Sequence, residues 1–110
     1  MAGYYDRDHL KNFVKTTAAV NKGLTDKYLD YHRGVFADGA LTAKEKQLIG
    51  LAVAHAIQCP YCIADHTRAC LKYGVTKEQM LEAVFAASAV RAGATMVHGM
   101  QMLEHVEESK

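Results

Sequence analysis

With 110 residues, half of them hydrophobic, the chain is expected to form one domain over 1–110, too apolar to stay disordered. Thirteen Lys and Arg against twelve Asp and Glu give a net charge of +1, and no basic run exceeds the scattered "TAKEK", which speaks against nucleic acid as a partner. The charged opening "MAGYYDRDHLKNF" does not read as a secretory signal, and no apolar segment of membrane length runs without polar breaks; a cytoplasmic protein with no membrane partner is expected.

In chain order, Leu10, Phe13, Val14 and Ala18 repeat at helical spacing, and Leu24, Tyr28, Tyr31 and Val35 do so again. Two amphipathic helices therefore lead the chain. "FADGAL" breaks the pattern, and in "TAKE" Thr42 can cap a third helix while Glu45 reaches back to the cap's N–H. Through "LIGLAVAHAI" that helix is apolar nearly all round, which predicts burial on every side.

Pro60, the only proline, suits the first position of a helix. The helix from 42 is thus expected to end near Gln58 and a fourth to begin at Pro60, with Cys59 as its cap. Gly74 suits a left-handed stop, and Thr76 with Gln79 forms a second capping box, opening a helix over roughly 76–92. Gly93 is read as an interruption before a last helix from near Thr95. The expectation is all-α, about six helices and no strand. Met80 to Leu103 holds only two formal charges, Glu82 and Arg91, so part of it is expected to pack against another copy of the chain.

"CPYCIADH", residues 59–66, carries the chemistry. Three cysteines in a reducing compartment do not make a disulfide framework, whereas a close C-x-x-C pair there points to redox chemistry. The free N–H groups and positive dipole end of a helix favour a thiolate, and both Cys59 and Cys62 would lie at such an end. His66, four residues after Cys62, falls on the same helical face and can take or return a proton.

Two other readings stand beside the redox one. His55, Cys59, Cys62 and His66 would line one face of an unbroken helix, yet eleven residues separate the histidines by roughly 16 Å, too far for one tetrahedral metal. Cys59, Cys62 and His66 alone supply three ligands, with a fourth needed from elsewhere. A pair of small buried residues with no chemistry is the other reading. C-P-Y-C also occurs in glutaredoxins, but their fold needs strands and a cis-proline loop, and this chain offers neither a strand pattern nor a second proline.

The stretch "LTAKEKQLIGLAVAHAIQCPYCIADHTRACLKYGVTKEQMLEAV", residues 41–84, strongly resembles the carboxymuconolactone decarboxylase superfamily, specifically its AhpD-like alkylhydroperoxidase branch. "AVAHAIQCPYCI" and "VHGMQM" resemble most the small peroxidase-like proteins associated with arsenosugar biosynthesis. The resemblance implies an all-helical bundle, a homo-oligomer of three or six chains, and a C-x-x-C pair at a helix N-terminus that reduces peroxides or passes electrons as a disulfide. By the same resemblance Cys62 attacks the peroxide, Cys59 resolves, and His66 activates Cys62. The decarboxylases of the superfamily lack the pair.

Two positions depart from the branch: its relay glutamate is Gln47 here, and a histidine sometimes found before the second cysteine is Tyr61. Gln47 cannot exchange protons. His55 either takes over part of the relay or only bonds a backbone carbonyl. Cys70 reads as a core thiol, His98 as an interface histidine, and His9, His32 and His105 as solvated surface residues. Met96, Met100 and Met102 are spaced for packing.

The leading expectation is a thiol-dependent alkyl hydroperoxide reductase, with a peroxide as substrate and an external dithiol as electron donor. A redox sensor or disulfide-exchange adaptor is the alternative, and lactone chemistry of the decarboxylase type the third. With no phosphate-binding glycine pattern, no nucleotide, flavin or metal cofactor is expected.

Overall fold

The computed structural model describes residues 6–110. Four helices make up the described residues, α1 (Arg7–Val35), α2 (Ala43–Ala56), α3 (Pro60–Lys72) and α4 (Lys77–Glu108), with no strand among them. The all-α expectation stands, and the count of about six does not.

The two differences lie at Asn21 and at Gly93. The first two predicted helices are one element kinked at Asn21 (φ −156°, ψ 91°), whose Oδ1 accepts the Leu24 N–H at 3.0 Å as a cap for the second half. Gly93 does not break α4 at all. A mid-helix glycine costs only about 1 kcal/mol relative to alanine, and its neighbours Ala92 and Ala94 are strong helix formers.

The remaining punctuation follows the sequence closely. Thr42 and Glu45 exchange bonds of 2.9 and 3.1 Å across the head of α2, and Thr76 and Gln79 do the same at α4. Each box satisfies two N–H groups that a helix start would otherwise leave open. Gly74 ends α3 at φ +76°, while the Val75 N–H reaches back to the Cys70 carbonyl at 3.0 Å. Val75 and Cys70 are both buried and join Leu51 in the core, so the turn that stops α3 also packs it against α2.

Burial is thinner than the sequence predicts. Helix α2 buries Ala43, Gly50, Leu51 and Ala54, yet Ile49 and Val53 on its other side stay exposed, and α1 buries no residue. On α4, Phe85, Val90 and Met96 are 71, 72 and 78% exposed. By length and composition α4, which holds the weakly charged stretch from Met80 to Leu103, also meets the criterion for a membrane span; core helices of soluble proteins meet it equally.

The accessible surface of 8482 Å² compares with about 6,000 Å² for a folded monomer of this mass. The radius of gyration is 18.4 Å, against about 13 Å for a compact domain of this length.

Candidate functional site

The turn between α2 and α3 places the cysteines. Helix α2 closes with the Cys59 N–H on the Ala54 carbonyl at 3.0 Å and the Gln58 N–H on the His55 carbonyl at 3.2 Å. This is a Schellman stop in which Gln58, at φ +57°, occupies the left-handed position usually given to glycine. Cys59 then caps α3, its Sγ accepting the Cys62 N–H at 3.3 Å, with Pro60 in the first turn. The two cysteines form a disulfide with their Cα atoms 5.3 Å apart, inside the range such a bond needs. Both are half-buried.

His66 lies one turn beyond Cys62. Its Nδ1–H donates to Gln47 Oε1 at 2.7 Å, which leaves Nε2 as the free acceptor. Gln47, at the position of the branch's relay glutamate, is thus the hydrogen-bond partner of the imidazole.

Gly50 explains how the imidazole can lie so close to α2. A Cβ built there would meet His66 Cε1 at 2.7 Å and Nδ1 at 2.8 Å, so only glycine leaves the ring its place. On its other side the ring packs against Phe36, with centroids 5.0 Å apart, and faces His32 at 6.3 Å. Burial lowers the His66 pKa from its ordinary 6.5, the charge of His32 lowers it further, and Asp65 opposes both. The neutral imidazole is thus favoured, as a proton acceptor requires.

Two hollows meet at these side chains. One, about 420 Å³, is walled by apolar residues of α1, α2 and their C-terminal caps, Val35, Phe36, Ile49, Val53 and Ile57 among them. The other, about 330 Å³, is more polar and holds His32, Gln47, Tyr61 and Asp65. Cys62 and His66 line both, and Cys59 lines neither. Of the two cysteines, Cys62 is thus the one that borders these hollows.

Tyr61, in the position where a histidine sometimes stands, accepts the Asp6 N–H at 3.4 Å and so ties the head of α1 to the head of α3. His55 is not brought to this site. Its Nδ1 bonds the Leu51 carbonyl at 2.9 Å, and it lines a separate depression with Gln58, Pro60 and Ile63. Of the two roles open to it, the structure shows the backbone one. Cys70 is fully buried beneath the site, and burial pushes its thiol pKa up. His98 is exposed on α4. Among the described residues no group of three or more His, Cys, Asp or Glu is arranged to hold a metal ion.

His32, expected on the surface from the sequence, is exposed in the structure, and its ring also borders the polar hollow and faces His66. Replacing it, as in His32→Gln, is expected to raise the His66 pKa, read from imidazole chemical shifts in a pH titration. An unchanged or lower value would contradict the placement. The linked effect on stability has a definite sign. Unfolded His66 binds its proton more readily than folded His66, so its contribution is fully present above about pH 6.5 and is lost as the pH falls below it.

The sequence pattern of the carboxymuconolactone decarboxylase family matches residues 16–105. An uncharacterized protein of the cox locus of Paracoccus denitrificans is 41% identical over 92 residues, covering 84% of this chain and 83% of its own. Among solved structures, a family member from Legionella pneumophila in its apo form superposes with a TM-score of 0.71 at 29% identity, over 92% of this chain and 90% of the other. A protein from Methanobacterium thermoautotrophicum gives 0.73 at 27% identity, over 82 and 97%. A family protein from Thermotoga maritima, for which an involvement in antioxidative response has been suggested, shares the fold with a TM-score of 0.56 at 24% identity, over 78 and 95%. A match spanning most of the residues, on an all-helical fold shared with solved members, shows that the chain belongs to the carboxymuconolactone decarboxylase family.

Proposed function

We propose that the protein is a thiol-dependent reductase of organic hydroperoxides, of the AhpD-like kind, working in the cytoplasm as a homo-oligomer. The observation that carries this reading is that Cys62, bonded to Cys59 at the head of α3, shares an apolar cleft with a tautomer-fixed His66.

In the reduced protein His66 Nε2 takes the Cys62 proton, and the thiolate attacks the terminal peroxide oxygen. The O–O bond breaks, the alkoxide takes the proton from His66 and leaves as an alcohol, and Cys62 becomes a sulfenic acid. Cys59, losing its own proton, attacks Cys62 Sγ. The S–O bond breaks, and the hydroxide leaves with that proton as water. An external dithiol then reduces the Cys59–Cys62 disulfide and is itself oxidised.

The test stops the sequence half-way. Cys59→Ser, treated with one equivalent of cumene hydroperoxide, is expected to accumulate a sulfenic acid that dimedone traps on the Cys62 peptide. Label on the buried Cys70, or on neither thiol, would count against the reading.

A second reading, a disulfide-exchange adaptor or redox sensor with little peroxide turnover, is favoured by one observation. Gln47 stands where the branch carries a relay carboxylate, and an amide orients His66 without carrying its proton away. Both readings use the same disulfide and differ in how fast peroxide forms it.

A further inference from the structure

We propose that the apolar cleft beside Cys62 binds a substrate with one anionic end, and that Lys46 receives that end; given the peroxidase reading, the substrate class is a hydroperoxy acid on an aliphatic chain. Apart from His66, Lys46 is the one side chain with an ionisable basic group on the cleft wall. It is half-buried, in the first turns of α2, where the helix dipole adds to its charge.

Its ammonium donates one bond, to the Ala37 carbonyl at 2.7 Å, and has three donors to offer. The neighbouring carboxylates are committed elsewhere: Glu45 accepts the Thr42 N–H at 2.9 Å and Asp38 accepts the Ala43 N–H at 2.7 Å. No ion pair forms on Lys46 among the described residues. A half-buried ammonium in an apolar wall with donors to spare is matched by a carboxylate brought in from outside.

The spacing fits a chain of moderate length. Lys46 and Ala54 both line the cleft on one face of α2, and eight residues of helix separate them by about 12 Å. Cys62 lines the same cleft. An aliphatic chain laid along Ile49 and Val53, with its carboxylate on Lys46, would carry an O–O group partway down its length to the thiol.

The test uses ligands with no O–O bond and the protein in its disulfide form, so its outcome does not depend on peroxidase activity. Calorimetric titration with octanoate and with octan-1-ol is expected to show octanoate binding about tenfold more tightly, the effect of one charge-assisted contact. Lys46→Gln, which removes the charge, is expected to erase that preference while keeping the affinity for octan-1-ol, and Lys46→Arg to retain it. Equal affinity for the two ligands in the natural protein would overturn the proposal. So would a preference that survives Lys46→Gln. Binding of neither ligand would show the cleft covered, as by a second copy of the chain, and would overturn it too.

Discussion

Gly50→Ala is expected to cost the protein about a hundredfold in peroxide-dependent disulfide formation, the scale of effect that follows an ångström's misplacement of a catalytic group. The added Cβ would lie within 2.8 Å of the His66 ring, which Gln47 on one side and Phe36 on the other leave no easy room to yield. The ring must swing, and the bond that fixes its tautomer goes with it.

Stability is expected to move far less. Alanine gains about 1 kcal/mol over glycine in a helix interior, which offsets part of the strain, and the clash falls on a side chain and leaves the backbone alone. Stopped-flow thiol oxidation and thermal melting measure the two effects separately. A variant that keeps its rate would show that the position of His66 does not matter to the reaction.

The second large effect concerns assembly. The chain exposes roughly 2,500 Å² more than its mass requires, an area in the range that obligate interfaces bury. Phe85 and Val90 lie on the apolar stretch of α4 and are among its most exposed large apolar residues. If the protein is the homo-oligomer proposed above, Phe85→Glu combined with Val90→Glu is expected to convert it into single chains of about 12 kDa, with part of the helix content lost, because an ionised carboxylate has no place in an apolar contact. Sedimentation equilibrium checks this. A natural protein that sediments as a monomer would contradict the assembly outright.

Local chemistry made much of the fold legible. A cap is made by side chains within three or four residues of the helix start, so Thr42 with Glu45, Thr76 with Gln79, and Cys59 before Pro60 were all readable from neighbours. Gly74 was readable for the same reason. Segment ends without such a partner were not: nothing beside Gly93 offers the chain an alternative to continuing the helix, and the break expected there does not occur.

The site divides along the same line. Cys59, Cys62 and His66 fall within eight residues of each other, and one helix start brings them together. Gly50 and His32 act on His66 from sixteen and thirty-four residues away, across the packing of α2 and of α1 against α3. In sequence Gly50 is one more small residue in an apolar helix, and His32 is flanked by Tyr31 and Arg33 in a segment that reads as half-solvated. Only the contact reveals either. The positive φ of Gln58 had no local signal either, since glycine is the residue a reader looks for at such a turn.

The central claim is that peroxide oxidises the Cys59–Cys62 pair directly, and a thiol count over one turnover tests it most directly. The protein is reduced without oxygen, freed of reductant and mixed with one equivalent of cumene hydroperoxide, and its free thiols are titrated over time. The peroxidase account predicts rapid loss of two thiols of the three in the chain, with Cys59 and Cys62 recovered as one linked peptide and Cys70 intact. Persistence of all three for many minutes would contradict it and leave disulfide exchange with a partner as the function of the pair.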